Sequence, residues 1–97
     1  MSAPQTKYLE IINAIDQHFR NDPFAIWQIR THINCDPKQI RKILVQLNQL
    51  RILVHHKISF NDRNWEIRHK DKWDVNSVVK TYEGFWMLQK LQRSVKK

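Results

Sequence analysis

Lys38, Arg41 and Lys42 follow one another at three- and four-residue spacing within the segment PKQIRKILVQLNQL. On a helix that spacing gathers three cations on one side. Ammonium and guanidinium groups so placed neutralise phosphates, and a guanidinium also grips guanine through two bonds. Gln39 and Gln46 flank the same side, where a carboxamide pairs with adenine edges or phosphate oxygens. Gln49 completes the polar set. Val45 is the odd member, suited to a thymine methyl group or to a protein contact. Further along, the polar run Asn61-Asp62-Arg63-Asn64 offers Arg63 as a fourth cation at the tip of a turn. Lys38, Gln39, Arg41, Lys42, Val45, Gln46, Gln49 and Arg63 are therefore the candidate nucleic-acid-binding residues. The plain alternative is a solvated basic face kept for solubility.

Other chemistry finds less support. There is no glycine-rich phosphate loop, no nucleophile motif and no pair of carboxylates in a suitable context. No catalytic residue, no small-molecule substrate and no cofactor is expected, and the chain is read as a binding protein rather than an enzyme. Cys35, His55, His56 and His69 are the conceivable zinc ligands. His55 and His56 are neighbours, so on a strand they face opposite ways and do not share a metal; no metal site is expected. Trp73, Phe85 and Trp86 lie among basic residues, as in a base-stacking platform. At helical spacing, packing or an interface is the stronger reading.

These side chains need elements to hold them. Tyr8, Ile11, Ile12, Ile15 and Phe19 recur at helical spacing, with Thr6 as an N-cap. Asn21-Asp22-Pro23 breaks that helix, and Phe24-Ala25-Ile26 reads as a single strand rung. A second helix turns Ile26, Ile29 and Ile33 inward and Gln28, Arg30 and Thr31 outward, with Trp27 partly buried. Asp36 caps the third helix and Pro37 occupies its first position, where the missing N–H costs nothing. At about 100° per residue, Ile40, Ile43, Leu44, Leu47 and Leu50 form its apolar stripe. Residues 52–60 and Trp65–His69 then read as a hairpin with a polar tip. The link Lys70-Asp71-Lys72 leads into a fourth helix, from about Val75 to Arg93. Its apolar stripe is wide: Val75, Val78, Val79, Tyr82, Phe85, Trp86 and either Leu88 or Leu91. Tyr82, Phe85, Trp86 and Leu88 are accordingly the expected partner or dimer interface. Gly84 inside that helix suggests close approach of another element.

The order helix, rung, helix, tight turn, helix, hairpin, helix is that of an α+β winged helix. It has a three-helix helix-turn-helix core, a β-hairpin wing and a long C-terminal helix. Residues 1–72 would form the core with its wing. Residues 73–97 would be a helix packed on it or used for a partner, within a single domain of 97 residues overall.

Charge agrees with the candidate site. The net charge is +8, and it is unevenly spread: residues 1–35 sum to zero, residues 36–72 to +5 and residues 73–97 to +3. Such a surface attracts phosphates or an acidic protein. The 41% hydrophobic and 27% charged content fits a folded globular protein. The opening MSAPQTKYLE carries no signal-peptide core, no apolar run is long enough to span a bilayer, and a single cysteine makes no internal disulfide. An intracellular setting is expected, the nucleus in a eukaryote or the cytoplasm and nucleoid in a prokaryote, with no membrane contact.

Between them, DPKQIRKILVQLNQLRILVHH and NWEIRHKDKWDVNSVVKTYEGFWMLQKLQR carry a family likeness. The chain resembles the N-terminal extended winged helix of the large (alpha) subunit of general transcription factor IIE and its archaeal relative. The likeness lies in Lys38-Gln39-Ile40-Arg41 at the start of the third helix and in the aromatic second wing strand around Trp65 and Ile67. It continues in the opening of the last helix at Val75, Val78, Val79, Lys80 and Tyr82, and it covers roughly residues 7–93. Two features depart from the family. It continues into a zinc ribbon with paired cysteines, whereas here there is one cysteine. The glycine expected between third helix and wing is replaced near Arg51. The resemblance implies a role at the polymerase during initiation, contact with double-stranded DNA mainly through its backbone, and a second winged-helix subunit as partner. Two further readings stay open: a winged-helix adaptor that binds only protein, and a homodimeric repressor from a mobile element.

Overall fold

The computed structural model describes the backbone of residues 3–57 and 62–95, and the side chains of residues 7–57 and 62–90. Helix α1 (Ala3–His18) begins ahead of Thr6, so Thr6 lies inside the helix rather than capping it. Tyr8, Ile11, Ile12, Ile15 and Phe19 all turn inward, as their spacing requires.

After the break at Pro23, Phe24 makes a two-way backbone bridge with Trp65: its N–H donates to the Trp65 carbonyl at 2.7 Å and its carbonyl accepts from the Trp65 N–H at 3.1 Å. Helix α2 (Ile26–Arg30) is short. The Gln28 side chain reaches back to accept the Ala25 N–H at 2.9 Å and so closes its first turn. Ile33 packs on the core from the turn beyond α2 rather than from the helix itself.

Helix α3 (Pro37–Gln49) starts as its residues demand: the Asp36 carboxylate accepts the Lys38 N–H at 3.0 Å, and Pro37 follows at the first position. Ile40, Ile43, Leu44 and Leu47 are buried. The end of α3 is a Schellman turn. The Ile52 N–H donates to the Leu47 carbonyl at 3.0 Å and the Arg51 N–H to that of Asn48 at 2.9 Å. Arg51 adopts the left-handed conformation at φ 64°, the position that favours glycine.

The turn delivers the chain into β1 (Leu53–His55), which pairs antiparallel with β2 (Trp65–Ile67) in the register Leu53↔Ile67, Val54↔Glu66, His55↔Trp65. Leu53, Trp65 and Ile67 face the core. The expected strand residues 58–60 and the tip residue Asn61 lie outside the described residues. Lys70–Lys72 form a 3-10 turn that leads into α4 (Val75–Val95). Asp74 caps α4, its carboxylate accepting the Ser77 N–H at 3.0 Å. The Trp73 indole N–H donates to Asp16 of α1 at 2.8 Å, which ties the start of α4 to the first helix.

One core cluster joins the four α-helices and both strands, from Tyr8 in α1 to Tyr82 in α4. The first two turns of α4 thus belong to the same unit as the segments before them. Among the described residues, the architecture is α+β, with four α-helices and a two-stranded antiparallel hairpin. No described helix is long and apolar enough to cross a membrane.

Candidate nucleic-acid interface

Helix α3 is pinned at both ends and buries one stripe, so the direction of its other side chains is settled. Lys38, Arg41, Lys42 and Gln49 are exposed. Val45, Gln46 and Gln39 are only half-exposed. Helix α3 contains no acidic residue. Among the described residues, no carboxylate lies within ion-pairing distance of Lys38, Arg41 or Lys42, whereas Lys7, Arg20 and Lys70 are paired with Glu10, Asp16 and Glu66. Three uncompensated cations along one helix side form a local positive potential that is strongest toward anions.

The two glutamines meant to read bases are engaged within the chain. Gln46 accepts the Tyr82 hydroxyl proton at 2.6 Å. The Gln39 carboxamide oxygen lies 3.8 Å from the Cys35 thiol. The thiol is buried, and burial pushes its pKa up.

Helix α4 walls one side of this face. A groove of about 550 Å³ runs between α3, at Lys38, Lys42, Val45 and Gln49, and α4, at Phe85 and Gln89. Lys42 extends over the Trp86 ring, its Nζ 6.0 Å from the centroid. On the other side of α3 a recess of about 460 Å³ opens between α2, the start of α3 and the hairpin, and Arg41 borders both hollows. Arg63 is exposed where the chain approaches β2.

The expected partner surface divides. Tyr82 is fully buried in its own chain, against the expectation that it meets a partner. Its ring packs on Tyr8 at 4.8 Å between centroids, and Gln46 takes its hydroxyl, so core packing consumes the whole side chain. Phe85 and Trp86 are half-buried, while Leu88 is 61% exposed. Met87, 68% exposed, belongs with Leu88 and was not singled out by the stripe. Trp27 departs from expectation in the opposite direction. It is 51% exposed, because on the helix it stands about 100° from Ile26 and about 160° from Ile29, off the side those two turn onto the core. A Cβ added at Gly84 would meet nothing within 4 Å among the described residues, so no described element approaches it.

The histidines face different surroundings. His55 lies on Trp65 with ring centroids 4.3 Å apart, and His56 Nε2 lies 2.9 Å from Glu66. Glu66 also accepts from Lys70, and these two donors, Lys70 first, hold its carboxyl below the usual range. Among the described residues no cluster of three or more His, Cys, Asp or Glu side chains is arranged to hold a metal ion. Comparison of the chain with models of protein families, with curated proteins and with solved structures finds no match.

Proposed function

We propose that this chain is a winged-helix module that binds double-stranded DNA in transcription, gripping the phosphate backbone through α3 and the hairpin without catalysing a reaction. The observation that carries the reading is the row Lys38, Arg41 and Lys42: exposed, on one side of a capped helix, with no described carboxylate to neutralise it. The element order supports the winged-helix assignment, with the bridge at Phe24, the tight α2–α3 connection and the hairpin following α3. Because Gln46 is held by Tyr82 and Gln39 lies against Cys35, the face offers mainly charge, with Gln49 as its one exposed carboxamide. Phosphate contact positions a protein on nucleic acid and does not by itself select a sequence. The role in transcription rests on the sequence resemblance alone.

The test is fluorescence anisotropy with a random-sequence duplex across a salt series. It compares the wild type with the Lys38→Ala/Arg41→Ala/Lys42→Ala variant. Alanine suits exposed helix positions, so the fold is retained. Each phosphate contact contributes about 0.9 to the slope of log affinity against log salt, so losing three lowers the slope by roughly 2.7. An unchanged slope, or no binding by the wild type at low salt, defeats the proposal. The second outcome leaves a protein-binding module, the reading favoured by the exposed Met87 and Leu88 on α4.

A further inference from the structure

Three of the four tryptophans are drawn into the fold. Trp65 and Trp73 are buried, and Trp86 packs half-buried against the core. Trp27 alone leaves half of its indole in solvent. It borders the recess between α2, α3 and the hairpin, together with Arg30 and Arg41; Pro37 and Trp65 also line it, and the hairpin side brings one carboxylate, Asp62. Arg30 stands three residues beyond Trp27, on the same side of α2. Among the described residues neither Arg30 nor Arg41 is within ion-pairing distance of a carboxylate.

An open aromatic face beside two guanidinium groups matches the two parts of a nucleotide. The indole offers a stacking surface to a base, and arginine holds phosphate oxygens. Inside a duplex both faces of each base are covered by neighbouring pairs, so the indole would have nothing to stack upon. An unpaired nucleotide presents a free face. The recess volume of about 460 Å³ falls within the roughly 300–1,000 Å³ of small-ligand sites. Arg41 borders both this recess and the groove along Lys38 and Lys42, so a strand leaving the recess continues onto the same row of cations.

We propose that the recess binds an unpaired nucleotide of single-stranded nucleic acid, with the base stacked on Trp27 and the flanking phosphates held by Arg30 and Arg41. This rests on the nucleic-acid reading above and adds a second mode of binding to it. Stacking is tolerant of sequence, so the site takes any unpaired base and prefers none by hydrogen bonding.

The experiment titrates wild type, Trp27→Ala and Trp27→Phe with three probes: a thymidylate dodecamer, an abasic dodecamer of the same charge, and a random duplex. The wild type is expected to bind the thymidylate strand about 10- to 100-fold more tightly than the abasic one, the size that stacking of one base supplies. Trp27→Ala removes that advantage and leaves abasic and duplex binding within about twofold of wild type, since the cations that hold phosphates are untouched. Trp27→Phe restores most of it, because a phenyl ring still stacks. Trp27 is half-exposed, so neither variant is expected to unfold the chain, and circular dichroism verifies this. Equal affinity for the thymidylate and abasic strands, or a silent Trp27→Ala, overturns the site. If the duplex still binds through Lys38, Arg41 and Lys42 in that case, only the recess fails. If no probe binds, both readings fall together.

Discussion

Replacing Arg51 by glycine should make this protein more stable, although it deletes a large side chain. Arg51 occupies the left-handed region at φ 64°, where the chain leaves α3 and turns into β1. The backbone has no alternative there. The Arg51 and Ile52 N–H groups must reach the Asn48 and Leu47 carbonyls to end the helix, and Ile52 must land against the core. An L-residue in that conformation costs about 1–2 kcal/mol. Glycine removes the cost but adds freedom to the unfolded chain, which returns about 0.4–1 kcal/mol. The net expectation is a stabilisation of about 0.5–1 kcal/mol. For a chain near 100 residues this raises Tm by about 2–8 °C, at about 4–8 °C per kcal/mol. Arg51→Ala controls for the lost charge, because alanine keeps the strained conformation. Urea unfolding followed by circular dichroism compares the three proteins at constant m-value. Arg51→Gly that is no more stable than Arg51→Ala would refute the argument.

Two other perturbations follow from particular contacts. The Tyr8 side chain is buried and its hydroxyl donates to Glu83, and burial first, then that carboxylate, pushes its pKa from 10.0 up to about 12. The unfolded chain releases this proton near pH 10 and the folded chain does not. Tyr8's contribution is therefore complete below pH 10 and is lost between pH 10 and 12, approaching about 2–3 kcal/mol at about 1.4 kcal/mol per unit. Tyr8→Phe should flatten the decline in stability over that window, and parallel curves for the two proteins would sink the linkage. Gly84→Ala adds a methyl group that, among the described residues, meets no other element within 4 Å, and it removes a helix-interior glycine, so it should stabilise α4 by about 1 kcal/mol. Thermal unfolding reads this directly, and an unchanged or lowered Tm would count against it.

Periodicity revealed much of the fold because burial is what periodicity encodes. Every apolar residue assigned inward on α1 is buried, and so are four of the five on α3, with Leu50 packing half-buried at its end. Asp36-Pro37 marked the start of α3 because its cap is local chemistry. The rung at Phe24 was legible as a short apolar run and is a single bridge to Trp65. Long-range polar ties were not legible. Nothing in the spacing of Trp73 and Asp16, 57 residues apart, announces their hydrogen bond, and nothing linked Tyr8 to Glu83. The length of α2 was equally hidden. Whatever its length, a helix that turns Ile26 and Ile29 onto the core holds Trp27 off that side, and the indole is left bordering the recess.

The same division decides what the α3 face can do. Charge on an exposed helix side is a local property, and Lys38, Arg41 and Lys42 point outward as their spacing requires. Whether a glutamine is free to read a base depends on what the rest of the chain places beside it. Gln46 lies next to α4, and the Tyr82 hydroxyl, buried away from solvent, needs an acceptor. Releasing Gln46 to a base would leave that hydroxyl unpaired in the core, which costs about 1–3 kcal/mol. One good bidentate base contact discriminates by about the same amount. The exchange therefore gains little, and Gln46 stays with Tyr82. With Gln39 directed toward Cys35 and Val45 half-buried, the exposed groups on this side of α3 are the three cations and a single carboxamide, Gln49. Binding dominated by such groups falls steeply with salt and discriminates weakly among sequences.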